Sequence, residues 1–158
     1  MNVEKEESND TPVRNPVPRI PLSLSNEERT RYARQLLLPE FGAASQERLS
    51  RARVLVGGCG GLGCPALLYL AASGVGTLDL VDGDRIEASN LQRQVLYREE
   101  DVGRPKVEVS AERLRAQNPH VRIETHPVFL DTANALGLIG RADLVIDLML
   151  LLFSPEQH

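Results

Sequence analysis

Arg53-Val54-Leu55-Val56-Gly57-Gly58-Cys59-Gly60-Gly61-Leu62-Gly63 decides the fold. A short apolar strand runs straight into a glycine-rich turn. Cys64-Pro65-Ala66-Leu67-Leu68-Tyr69-Leu70-Ala71-Ala72-Ser73 follows with a helix-forming pattern. Gly58, Gly60 and Gly63 satisfy G-x-G-x-x-G. In that motif one glycine allows the tight turn, one lets backbone approach a phosphate, and one lets helix and strand pack closely. The helix N-terminus then offers free N–H groups and a positive dipole end to an anion. The next apolar run, residues 77–81, ends at Asp82. A carboxylate at about that offset of 20 residues is where a ribose contact is expected. Strand, glycine turn, helix and distal acid together predict a Rossmann-type nucleotide-binding unit. A glycine turn that only packs is the alternative.

The bulk numbers agree with one soluble domain. At 158 residues the chain can bury a real core, and 42% hydrophobic with 25% charged residues is ordinary globular composition. The net charge of −4 is concentrated at the start: residues 1–10 hold one Lys against four acids. The rest is near neutral, so no basic field for nucleic acid is present. No apolar run is long enough to span a membrane, and the N-terminus lacks a signal-peptide pattern. Two cysteines, Cys59 and Cys64, are too few for a disulfide framework. A reduced, cytoplasmic setting is expected.

Residues 1–23 are acidic, then proline-punctuated, and predict a disordered tail. Ser25 followed by Glu28 has capping-box spacing and predicts a helix through about Gln35. Arg29, Arg31 and Arg34 load that helix with charge, which by composition alone reads as a solvated face. Residues 41–50 predict a second short helix. After the strand at 77–81, Asp82-Gly83-Asp84 stands where open α/β sheets bind ligands; Asp-Gly is also a common turn pair. Ser89-Asn90-Leu91-Gln92-Arg93-Gln94 is dense in hydrogen-bonding side chains. Further elements are predicted as a helix from Lys106 to about Gln117, a strand over 121–128, a helix over 132–139 and a strand over 143–147. The alternation points to an α/β fold: a mostly parallel sheet with helices on both faces.

Taken together, Arg31-Tyr32-x-Arg34-Gln35, Gly58-x-Gly60-Gly61-Leu62-Gly63, Val81-Asp82-x-Asp84, Ser89 to Gln94 and Gly103-x-Pro105-Lys106 resemble the MoeB/ThiF family. These are ATP-dependent activators of ubiquitin-like sulfur carriers, related to ubiquitin-activating enzymes. The likeness is strongest to molybdopterin-synthase adenylyltransferases and covers residues 24–147. It implies that the C-terminal glycine carboxylate of a small β-grasp carrier attacks the α-phosphate of Mg2+-ATP, giving an acyl-adenylate and pyrophosphate. It implies a nucleotide site made of Gly58, Gly60, Gly61, Gly63, Asp82, Asp84, Ser89, Asn90, Leu91, Gln92, Arg93 and Lys106. Arg93 and Lys106 would neutralise the phosphates, and Arg34 would reach the phosphates of the other subunit in a homodimer. The carrier could serve molybdenum cofactor synthesis, tRNA thiolation or thiamine synthesis.

The likeness stops after Asp147. The family's magnesium and catalytic Asp, followed by Asn, would fall at positions occupied here by Leu150 and Leu151, and residues 148–158 read as a divergent tail. The sheet is therefore expected to be incomplete at its C-terminus, with part of a nucleotide site, no residue assigned to metal, and little adenylating activity. The apolar run 144–153 is expected to be partly uncovered. Two other readings stand beside the adenylyltransferase: a truncated, catalytically impaired isoform that binds nucleotide or pairs with a full-length enzyme, and an NAD-dependent oxidoreductase domain. Cys59 and Cys64 read as packing residues, since one pair cannot make a four-ligand zinc site. His120, His126 and His158 are assigned no chemistry.

Overall fold

The structure, a computed structural model, describes residues 24–149; the expected disordered tail and residues 150–158 of the divergent tail lie outside the described residues. Among these residues six helices and four strands follow one another: α1 (Asn26–Arg31), α2 (Ala33–Leu36), α3 (Gly42–Leu49), β1 (Arg53–Gly57), α4 (Gly63–Ser73), β2 (Thr77–Val81), α5 (Lys106–Gln117), β3 (Arg122–His126), α6 (Ala135–Ile139) and β4 (Leu144–Asp147). Between β2 and α5 the chain makes two short 3-10 turns, Ala88–Asn90 and Glu99–Asp101.

All strand pairs are parallel and the order is β3-β2-β1-β4. The chain steps outward from β1 to β3, then crosses back to place β4 on the other side of β1. That reversal is a topological switch point, where the carboxyl ends of β1 and β4 open a crevice. Residues 54–57 of β1 are all buried, as expected of an inner strand of a parallel sheet.

One face of the sheet, Val54, Val56, Leu78, Leu80 and Ile123, joins Cys64, Leu67 and Ala71 of α4 and Val107, Ala111 and Leu114 of α5 in one core. The helical residues recur at three- and four-residue spacing, which turns one stripe of each helix inward. Fully burying a leucine such as Leu67 contributes about 2 kcal/mol. The connection from β3 to β4 carries α6 and reverses the direction in which strands are added to the sheet. β4 is thinly covered among the described residues: Leu144 and Val145 are exposed.

The opposite face carries charge. Register sets Leu55, Asp79 and Glu124 side by side. Arg53 donates from Nε and Nη2 to Asp79 at 2.6 and 2.8 Å, and from Nη2 to Glu124 at 2.6 Å. His126 Nε2 lies 2.9 Å from Asp79 Oδ1. His126 thus belongs to an ion network that no sequence pattern announces. Asp79, Glu124 and His126 offer three metal-type donor atoms within 4.8 Å of one another, but the Arg53 guanidinium already fills the space between the carboxylates.

The N-terminal segment differs from its expectation in one respect. Ser25 and Glu28 form both bonds of the capping box. The helix then breaks at Tyr32, whose φ of −96° and ψ of 13° separate α1 from α2. The break lets the Tyr32 ring lie buried against Gly74, where its hydroxyl accepts from Asn118 Nδ2 at 2.8 Å. Gly74 is the left-handed C-cap of α4, and a Cβ there would meet the tyrosine ring at 2.6 Å.

Candidate nucleotide site

The site begins where β1 ends. Gly58, with φ of 94°, turns the chain in a conformation that side chains rarely adopt, and its N–H donates to Val81 O at 2.8 Å. Gly63 opens α4, and a Cβ there would lie 2.0 Å from Gly58 O. This glycine therefore sets how closely α4 approaches the strand, as the motif predicts. Gly60 is different: the nearest atom to its Cβ position is Gln94 Nε2, at 3.7 Å. Its lack of a side chain keeps the turn open, and no protein group demands it. The N–H groups of Gly60, Gly61 and Leu62 donate to no acceptor among the described residues. They are the unsatisfied donors of a helix N-terminus.

Asp82, buried at the end of β2, organises the turn from the other side. Its Oδ2 accepts the Cys59 N–H at 2.7 Å and its Oδ1 accepts the Asp84 N–H at 2.8 Å. Each oxygen keeps a second lone pair for a ligand hydroxyl. Arg93 lays its side chain over Gly61, with Cγ and Cδ 3.5 Å from the Cβ position, and donates to Ser89 O at 3.2 Å. Its guanidinium is exposed beside the free N–H groups. Lys106, at the first turn of α5, is almost wholly buried, and its Nζ donates to Asp84 Oδ2 at 2.9 Å.

The other sequence candidates form the frame of this corner. Asn90 is buried and its Oδ1 accepts from the Glu87 N–H at 3.2 Å. Leu91 packs against the core, Ser89 donates to Glu87 Oε2 at 3.3 Å, and Gln92 is exposed. Arg34 is not part of the corner. Gln35 and Gln46 both donate to Ser73 O and Tyr32 sits on Gly74, so the N-terminal segment docks at the C-terminal end of α4. The glycine turn lies at the opposite end of that eleven-residue helix, about 16 Å away.

Three further residues complete this corner, and two of them, Tyr97 and Ser110, escape a reading of the sequence. Gln94 is buried beside Gly60, and its Oε1 has no partner among the described residues. Tyr97 donates to Cys59 O at 2.6 Å, and Ser110 Oγ lies 3.0 Å from the tyrosine oxygen. Gln94 closes the Ser89 to Gln94 segment, which is a signal of sorts. Tyr97 and Ser110 carry none, because their meaning depends on contacts 38 and 13 residues away. Cys59 and Cys64 are free and buried, in keeping with packing residues. Burial pushes both thiols above their ordinary value.

A parallel sheet with a switch-point crevice, a glycine turn and a buried acid at the end of the next strand defines a Rossmann-like fold. Residues 32–149 match the ThiF family, and the chain belongs to that family. It is 54% identical over 123 residues to a sulfur carrier protein adenylyltransferase of Thermus thermophilus, covering 78% of this chain and 45% of the relative. It is 49% identical over 125 residues to a probable adenylyltransferase/sulfurtransferase, MoeZ, of Mycobacterium tuberculosis, covering 79% and 32%. The fold superposes on Escherichia coli tRNA N6-threonylcarbamoyladenosine dehydratase, solved with ATP, with a TM-score of 0.76 and 30% identity over 81% of this chain and 52% of that one. The chain spans less than half the length of either curated relative. Among the described residues, no helix is long and apolar enough to cross a membrane.

Proposed function

We propose that this chain supplies the ATP-binding half of an adenylyltransferase that activates the C-terminal glycine of a ubiquitin-like sulfur carrier. One observation supports the reading: Arg93 is laid over Gly61 in the turn with the free N–H groups, and the buried Lys106 ammonium is paired with Asp84, two residues after the Asp82 carboxylate that holds the same turn. This is the arrangement a polyphosphate needs, since catalysis at phosphorus rests on positioning and on charge placed in advance. In this reading the N–H groups of residues 60–62 hold phosphate oxygens and Asp82 takes the ribose hydroxyls. Arg93 and Lys106 neutralise charge as the carrier carboxylate attacks. Ser89, Asn90, Leu91, Gln92 and Asp84 shape the wall. Arg34, exposed on the segment docked at the far end of α4, serves a second copy in a homodimer. The unit runs from residue 24 to 147, in the cytoplasm.

The donor set fits ATP better than it fits a divalent cation. Leucine at position 150 cannot ligate magnesium, which takes hard oxygen ligands. Of the carboxylates at this edge, Asp82 is held by two N–H groups, Asp84 by Lys106, and Asp147 by the Met149 N–H. That mismatch favours a second reading, in which the chain binds nucleotide and pairs with a complete enzyme without adenylating by itself.

Equilibrium titration with ATP and NAD, followed by ATP–pyrophosphate exchange with a carrier ending in Gly-Gly, tests both. Carrier-dependent exchange supports the adenylyltransferase. ATP binding without exchange supports the nucleotide-binding partner. Preference for NAD over ATP would overturn both readings in favour of an oxidoreductase domain.

A further inference from the structure

We propose that Tyr97 and Ser110 form a latch that sets the spacing between the glycine turn and Lys106, and so positions the phosphate-binding groups. The inference rests on the nucleotide reading above and adds residues to it. The peptide around Cys59 is held from both sides. Asp82 takes its N–H at 2.7 Å, and the Tyr97 hydroxyl gives its proton to the carbonyl at 2.6 Å. A carbonyl can only accept, and a phenol has one proton to give. The Ser110 hydroxyl, 3.0 Å from the tyrosine oxygen, must therefore be the donor in the second bond. The order of protons is fixed: Ser110 to Tyr97 to Cys59 O. Burial holds the Tyr97 phenol far above its ordinary value, so it stays a donor at every physiological pH.

The chain of bonds crosses three pieces of the site. Cys59 lies inside the glycine turn. Tyr97 follows the segment that carries Arg93, and its N–H donates to Gln94 O at 3.1 Å. Ser110 is buried on α5 one turn after Lys106, and residues four apart share a helix face. Displacing the tyrosine oxygen would therefore shift the free N–H groups of the turn relative to the lysine ammonium. No other hydroxyl among the described residues reaches the Cys59 carbonyl; the Cys64 thiol, a weak donor, lies 3.4 Å from it.

The test compares the full chain with Tyr97→Phe and Ser110→Ala, using ATP and adenosine as ligands. Phenylalanine keeps the ring and its packing, so the variant should fold. Expected is an ATP affinity lowered about tenfold in Tyr97→Phe and less in Ser110→Ala, with adenosine affinity unchanged, since one neutral bond typically carries a factor of that size. The double variant should be no worse than Tyr97→Phe, because both substitutions break one chain. Amide exchange of residues 59–63 should quicken in both single variants without nucleotide. Equal losses for ATP and adenosine, or an unchanged ATP affinity with unchanged exchange, would overturn the latch. If the parent chain bound no ATP, the nucleotide reading itself would fall, and the latch with it.

Discussion

Lys106 Nζ sits 2.9 Å from Asp84 Oδ2, and the two partners differ in setting: the lysine side chain is 7% exposed and the aspartate 53%. A buried ammonium thus has its counter-charge among the described residues at the solvent edge, where a phosphate can approach it. Lys106→Met keeps the apolar stem and removes the charge. Removing one partner of an ion pair is costly where it leaves a buried charge unpaired, but Asp84 is half exposed and water can solvate it. We expect the urea midpoint to change little, while ATP affinity falls by about ten- to a hundredfold, the range for one charge-assisted hydrogen bond. Calorimetric titration showing parent-like affinity would remove Lys106 from the site.

Gly60 and Gly63 separate two functions of one motif. Gly63→Ala drives a Cβ to 2.0 Å from Gly58 O, a backbone atom that cannot swing aside. The expected cost is about 3 kcal/mol of stability, at the upper end of overpacking effects, seen as a lowered thermal midpoint. Gly60→Ala meets nothing closer than 3.7 Å. It should melt like the parent and bind ATP poorly, because the new methyl occupies the approach to the turn. If Gly60→Ala bound ATP normally, the phosphate would have to lie elsewhere.

Asp101 gives the chain a dependence on acid. Burial alone would raise its carboxyl, but the Arg98 N–H and the Arg113 guanidinium outweigh it and hold the group below its ordinary 3.8. A carboxyl depressed in the folded state contributes stability that is fully present above its unfolded value. That contribution disappears as pH falls through the folded value. We expect urea midpoints to be flat in this term down to about pH 4 and to fall below it. Asp101→Asn should be less stable at neutral pH and lose less on acidification. Parallel curves for parent and variant would assign the acid sensitivity to other carboxylates.

The parts of the fold legible in the sequence are those set by neighbours along the chain. The strand before Gly58, the helix after Gly63, the capping box at Ser25 and the helix from Lys106 to Gln117 all follow from local chemistry. The ThiF family was legible too, because its motifs recur in order. What escaped depends on distant partners. The break at Tyr32 arises from a ring buried against Gly74 and Asn118. Asp79 read as an ordinary strand residue, yet parallel register sets it beside Arg53 and within reach of His126. Arg34 read as surface charge by composition, and it is exposed; the role proposed for it in another copy's site rests on resemblance alone.

The docking of the N-terminal segment at the far end of α4 has a consequence for how the site is counted. Arg34, on a segment held about one helix length from its own glycine turn, cannot complete the site of a lone chain. If Arg34 serves a neighbour, protein concentration becomes a variable of nucleotide affinity. Dilution would weaken ATP binding as copies separate, and ATP would hold copies together by the same free energy.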